Sequence, residues 1–125
     1  MLSLFIPLFD LLRDASSNAI YGMYIGVDSG VEAKLIVKGE VTLNSNGFAG
    51  MYSFLYSNSN LEIDVENGST LESCGNTQFD IYGQVPANAT ATFSGTGYTC
   101  DQAVFNGEGG GTVGTVVPPN CQACS

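Results

Sequence analysis

Apolar and polar residues alternate along most of this chain, in short runs separated by turn signals. From Tyr21 onward the runs 21–27 (YGMYIGV), 33–37 (AKLIV), 40–44 (EVTLN), 51–56 (MYSFLY), 61–66 (LEIDVE), 78–85 (QFDIYGQV), 89–94 (ATATFS), 102–105 (QAVF) and 112–117 (TVGTVV) read as strands. Between them stand Asp28-Ser29-Gly30, Lys38-Gly39, Asn46-Gly47, Asn67-Gly68, Pro86, Gly95-Thr96-Gly97 and Asn106-Gly107, residues that favour reversals. This spacing predicts an antiparallel meander, sandwich or jelly roll and excludes a doubly wound sheet. LIVKGEVTL and LEIDVENGSTL look alike, which suggests a short β-solenoid, but no fixed period links them and the antiparallel arrangements rank first.

In Leu61–Glu66 the apolar Leu61, Ile63 and Val65 face one way and Glu62, Asp64 and Glu66 the other. A hairpin through Asn67-Gly68-Ser69, with glycine in a left-handed position, sets Leu71 opposite Val65 and Glu72 opposite Asp64. Four carboxylates then share one face, open to water or holding a hard cation such as calcium.

Ahead of the strands, Met1–Leu12 is strongly apolar, too short to cross a bilayer (which takes about 20 residues), and lacks the cationic start of a signal peptide. Pro7 suits a first helical turn, and Leu8, Leu11, Leu12, Ala15 and Ala19 fall on one stripe, with Asp10, Arg13, Asp14 and Ser17 opposite. The expectation is a short amphipathic helix over 7–17, packed on the domain's own sheet or docked on a partner subunit. The fold class is therefore mainly β (α+β), a helical N-terminal assembly segment over 1–20 followed by a β-rich, disulfide-bonded domain over 21–125.

Charge sharpens the picture. The 125 residues include only three cations, Arg13, Lys34 and Lys38, against 12 Asp plus Glu, for a net charge of −9. Nucleic acid and anionic membrane surfaces are excluded as partners, because binding them needs clustered Lys and Arg. With no histidine in the chain, Ser-His-Asp and Cys-His catalysis, histidine metal sites and haem attachment are excluded too. The cation-free stretch after Lys38 is kept soluble by Ser, Thr, Asn and Gly, which suits a protein outside the cytoplasm. Cys74, Cys100, Cys121 and Cys124 form an even set and read as two disulfides made in an oxidising compartment. Three pairings are possible; Cys74–Cys100 with a local Cys121–Cys124 bridge is preferred, and Cys100–Cys121 is the main rival. Redox and zinc readings of Cys121-Gln-Ala-Cys124 are disfavoured by the chain ending one residue later and by the absence of a second Cys-x-x-Cys.

The stretch Ile6-Pro7-Leu8-Phe9, followed by Arg13 and Ala15, resembles the Ile-Pro-x-Phe…Arg segment midway along the long N-terminal helix of type IV pilins. The resemblance covers about a tenth of the chain and lacks the preceding apolar half-helix with its early glutamate. It implies a helix packed on an antiparallel sheet and a disulfide-closed loop near the C-terminus, as a Cys100–Cys121 bridge would make.

Other patterns carry little chemistry. Gly109–Gly114 matches G-x-G-x-x-G, but Pro118-Pro119 and the following residues leave no room for the helix and acid that a dinucleotide site requires. No phosphate loop or serine elbow is present, and paired carboxylates without Trp or His make a poor glycosidase. Tyr52, Phe54 and Tyr56 share one strand face, with Tyr24, Tyr82 and Tyr98 elsewhere; such a row binds a glycan or a neighbouring subunit, or is simply sheet surface. Asn67 and Asn88 each start an N-glycosylation acceptor.

The expected function is thus a non-enzymatic structural subunit of an extracellular, pilus-like filament, without catalytic residues or cofactor. It would assemble with its own copies or a companion subunit through Leu4, Phe5, Leu8, Phe9, Leu11 and Leu12. The alternatives are a secreted adhesion module binding a glycan on its tyrosines or calcium on Glu62, Asp64, Glu66 and Glu72, and a virion surface protein.

Overall fold

The computed structural model describes residues 2–8, 14 and 16–125, and the side chains from Asp14 onward apart from Ala15. The described residues form thirteen strands: β1 (Leu2–Leu8), β2 (Tyr21–Val27), β3 (Val31–Val37), β4 (Glu40–Thr42), β5 (Ala49–Leu55), β6 (Asn60–Val65), β7 (Thr70–Ser73), β8 (Phe79–Gln84), β9 (Thr90–Gly95), β10 (Tyr98–Cys100), β11 (Ala103–Asn106), β12 (Thr115–Val117) and β13 (Cys121–Gln122). They build three sheets in which every pair is parallel: sheet A, β1-β3-β6-β9-β12; sheet B, β4-β7-β10-β13; and sheet C, β2-β5-β8-β11. The chain runs C, A, B and repeats, so it is a β-solenoid of four coils, preceded by β1 and by Asp14, which bridges Thr42 of β4.

This overturns the antiparallel expectation. Alternation reports which face of a strand is buried, and it is the same whether the hydrogen-bonded neighbour comes next in sequence or one coil later. The strand runs are in place; the pairing is not sequential. The turn at Asn67-Gly68-Ser69 shows why: Ser69 N–H donates to the Glu66 carbonyl at 2.9 Å, and Thr70 N–H then donates to Gly39 of the preceding coil at 2.9 Å. The chain is turned into a corner, not reversed. Leu71 faces inward as expected, but its partners are Val41 and Tyr98, and Glu72 lies beside Thr42 and Thr99 on sheet B, away from Asp64.

The expected helix over 7–17 is also corrected. Pro7 and Leu8 end strand β1, which pairs with β3 along its whole length, and Asp14 forms an isolated bridge. Phe9–Arg13 and Ala15 lie outside the described residues, and with them Phe9, Leu11 and Leu12 of the assembly set; Leu4, Phe5 and Leu8 stand in β1. Pro7 is tolerated because β1 is the edge strand of sheet A, where a missing N–H need not break the ladder.

Like residues stack on like inside the solenoid. Leu35, Ile63 and Phe93 share one register; so do Met23, Met51 and Ile81, and Val41, Leu71 and Tyr98. Nearly all are buried to a few per cent exposure or less, forming one continuous core. At the corner before sheet C, a second stack is polar. Asn46, 1% exposed, accepts from the Asn18 backbone N–H at 3.0 Å, while its own N–H donates to Asn76 Oδ1 at 2.8 Å. Asn76 in turn donates its side-chain amide to Asp80 Oδ1 at 3.1 Å, and Asp80 Oδ2 accepts the backbone N–H groups of Asp101 (2.8 Å) and Gln102 (3.2 Å). Each amide thus satisfies the corner of the coil beside it, which lets buried backbone polar groups keep partners without water.

Two disulfides are present, Cys74–Cys124 and Cys100–Cys121, and no cysteine is free among the described residues. The preferred pairing is corrected and the rival Cys100–Cys121 is found. Register explains it: Tyr98 pairs with Cys121, so β10 and β13 run side by side and their cysteines are neighbours across the ladder, while the tail beyond β13 reaches Cys74 one coil further away.

Candidate functional site: the aromatic face of sheet C

The three outer faces differ in chemistry. On sheet A the outward positions hold Lys34, Glu62, Asp64, Thr92 and Ser94; sheet B offers Glu40, Thr42, Thr70, Glu72 and Thr99. Sheet C is built otherwise. Its strands carry one charged residue, Asp80, and that one points inward at 4% exposure.

The period-two rule sends Met51, Ser53 and Leu55 into the core and Tyr52 and Phe54 out of it. Parallel register then aligns Tyr24, Tyr52 and Tyr82 in one row across β2, β5 and β8, ending on Val104 of β11. Tyr24 stacks on Tyr52 (centroids 5.4 Å apart, planes 10° apart), and Tyr52 meets Tyr82 at 5.0 Å. A second row, Tyr21, Phe48 and Phe79, runs beside it with edge contacts of 5.8 and 5.6 Å and touches the first at Tyr21–Tyr52 (4.9 Å) and Phe79–Tyr82 (4.8 Å). Six rings therefore form one sheet-wide apolar patch, edged by the Phe54–Tyr56 pair and by Asn106, whose amide donates to the Tyr82 hydroxyl at 3.2 Å. Burial among its neighbours, with Tyr82, Tyr21 and Tyr24 adding to it, pushes the Tyr52 hydroxyl above its ordinary pKa.

Of the sequence-derived row, Tyr52 and Phe54 lie on this face and Tyr56 borders it, half exposed. Tyr24 and Tyr82 join them. Tyr98 does not: it points inward at 1% exposure, its hydroxyl 2.8 Å from the Ser94 carbonyl and 3.1 Å from that of Ile63. Tyr21, Phe48 and Phe79 were not singled out by strand alternation because they sit at the corner where it lapses; the near-coil spacing between them was the available signal.

The proposed calcium face does not come together. Glu72 is on another sheet, Glu62 pairs with Lys34 at 3.3 Å and Glu66 with Lys38 at 3.6 Å, each lysine supplied by the preceding coil. The one group of metal-type side chains among the described residues, Asp80, Asp101 and Cys124, includes a disulfide sulfur and a carboxylate already accepting four donors. A groove of about 510 Å³ beside the Cys100–Cys121 bridge is lined by Pro118, Pro119, Asn120 and Ala123, with Asp101 its only ionisable side chain. Asn67 and Asn88 are both exposed, in separate corner turns. No helix among the described residues is long and apolar enough to cross a membrane. Comparison with protein-family models, with curated proteins and with solved structures finds no match to this chain.

Proposed function

We propose that this protein is a non-enzymatic structural module of an extracellular assembly, packing through the aromatic face of sheet C. The observation that carries this reading is the patch itself: six contacting rings on the outside of a rigid sheet, with no charged side chain among them. The rings are partly exposed, Tyr24 most of all, and a contiguous outward aromatic patch suits an interaction site, since aromatic residues are the type enriched in interface cores. The two disulfides are compatible with an oxidising, extracellular setting, and the parallel ladders give the stiffness that a packing element needs.

The pilus-like assembly surface envisaged at Leu4–Leu12 is replaced in this reading by sheet C. Analytical ultracentrifugation and negative-stain microscopy of the full chain, beside a Tyr52→Ser/Tyr82→Ser variant, test it. Association or filament formation by the wild type, lost in the variant, is expected; a wild type that stays monomeric at high concentration overturns it. A second reading, a glycan-binding adhesion module, is favoured by the tyrosine hydroxyls along the same patch, and a glycan array probed with both proteins separates the two.

A further inference from the structure

The aromatic patch holds four tyrosines, and Tyr52 is in contact with the other three. Its ring centroid lies 4.9 Å from that of Tyr21, 5.0 Å from Tyr82 and 5.4 Å from Tyr24. Packing asks only for rings, yet every aromatic residue of the central row, Tyr24, Tyr52 and Tyr82, is a phenol. A phenol differs from a phenylalanine ring in giving up an electron and a proton to one-electron oxidants.

We propose that this row is a site of oxidative coupling, in which Tyr52 forms a ring-to-ring carbon bond with Tyr82 or Tyr21 under the action of a haem peroxidase and hydrogen peroxide. The inference goes beyond the packing role above, because it concerns the reactivity of the phenols and takes place within one chain. In the step, each phenol loses one electron and its hydroxyl proton. The two phenoxyl radicals join at ring carbons next to those bearing oxygen, and the hydrogens on the joined carbons move to the oxygens, restoring two phenols. The two electrons and two protons reduce one hydrogen peroxide to two waters.

Three features support it. First, the chain offers a one-electron oxidant no easier endpoint, since it has no tryptophan and all four cysteines are bonded. A radical formed on any tyrosine of the patch therefore stays among phenols in contact. Second, the sheet holds the reactants together. Tyr52 and Tyr82 are register partners on β5 and β8, the two interior strands of sheet C, and the preceding Met51 and Ile81 are fully buried. Groups fixed in contact react as one molecule and need no encounter between chains. Both rings are partly exposed, so an oxidant has access from solvent. Third, the rings differ in tilt. Tyr24 lies within 10° of parallel to Tyr52, whereas Tyr82 is tilted by 31° and Tyr21 by 46°. A biaryl is twisted about its new bond, so the tilted pairs stand nearer the product.

The bond has a structural consequence. Cys100–Cys121 joins β10 to β13, and Cys74 directly follows β7, so sulfur ties the coils on the side of sheet B. Coupling at Tyr52 ties neighbouring coils through sheet C. It needs the same oxidising surroundings as the disulfides.

The test treats the full disulfide-bonded chain, diluted until it sediments as a monomer, with a haem peroxidase and hydrogen peroxide. Expected are dityrosine fluorescence, a single-chain mass lower by two hydrogens apart from any oxygen taken up by methionine, and a peptic fragment joining Tyr52 to Tyr82 or Tyr21. Tyr52→Phe should lose the fluorescence, and so should Tyr21→Phe/Tyr82→Phe. Tyr56→Phe should keep it, because the Tyr56 ring pairs with Phe54 instead. These variants retain every ring and are read on monomers, so failure of the packing reading leaves the result readable. No coupled product from the wild type, coupling only between chains, links that omit Tyr52 or join it to Tyr24, or undiminished coupling in Tyr52→Phe would each overturn the proposal.

Discussion

The middle coils and the last coil of this solenoid are held together by different means. In the coil β5–β6–β7 the inward residues Met51, Leu55, Leu61, Ile63, Val65 and Leu71 are all 2% exposed or less, and the buried Asn46 ties the corner to the coils on either side. In the coil β11–β12–β13 the inward Ala103, Phe105, Val116 and Cys121 are only partly buried. The strands shrink there to four, three and two residues. Phe105 leans over Gly83, where any side chain would collide with its ring, and meets Phe93 at 5.4 Å, partly closing the end of the core. What that coil lacks in burial it recovers from covalent bonds: Cys100–Cys121 ties it to the coil before, and Cys74–Cys124 reaches across that coil to the next. In a repeat architecture each coil draws its contacts from its neighbours, and here the sparsely packed coil β11–β12–β13 is fastened to the two before it by sulfur.

The comparison can be broken first by reduction. Each bridge should contribute about 3–4 kcal/mol on chain-entropy grounds, so reducing both should produce the largest loss of stability. The loss should also be uneven. Hydrogen exchange after reduction is expected to rise first over β11, β12 and β13 while β5, β6 and β7 keep their protection; uniform loss would show that the bridges support the whole rod. Next in size is a pair of truncations. Ile63→Ala, at a site of 0% exposure, should cost about 2–5 kcal/mol by urea titration, and Val116→Ala in the last coil about 1 kcal/mol. Equal costs would remove the distinction between the two regions.

The smallest effect is in pH. Burial, with the Asp64 carboxylate adding to it, raises the Tyr98 hydroxyl well above its ordinary 10.0. The folded protein therefore holds that proton after the unfolded chain has released it. The corresponding stability is fully present below pH 10 and falls as pH rises above it. Urea midpoints should decline above that pH, and Tyr98→Phe should flatten the decline at the cost of about 1 kcal/mol of hydrogen bonding at neutral pH. A variant with an unchanged alkaline slope would assign it to other groups.

Much of this architecture can be read from the sequence, but not the part that decides its class. Alternation located the long strands within two or three residues, as at 21–27, 61–66 and 89–94, because the inward set must be apolar wherever a sheet covers a core. It missed β10 and β13, which are too short to show a period, and it misread β1, where leucines at helical spacing and a proline suggested a helix. The pairing was hidden by an insertion. Val37 aligns with Val65, 28 residues on, but Glu40 aligns with Thr70, 30 residues on, because the corner Glu66–Ser69 is two residues longer than Lys38–Gly39. The likeness of LIVKGEVTL and LEIDVENGSTL was real, yet its register sets Leu35 on Ile63 and not on Leu61. Allowing for that step, Tyr24, Tyr52 and Tyr82, or Asn18, Asn46 and Asn76, announce the coils; the aromatic face follows from the same spacing.

The continuity of these stacks has a consequence for ancestry. Between β6 and β9 every position is matched 30 residues later, and over the first three turns the same tyrosine, asparagine and aliphatic seats recur. Duplicating one such unit within the gene, ahead of Cys74, would lengthen the rod by about 4.8 Å while leaving both sulfur bridges with their partners. Length in a lineage of such molecules is then an easily varied trait, inherited in whole turns and not in single residues.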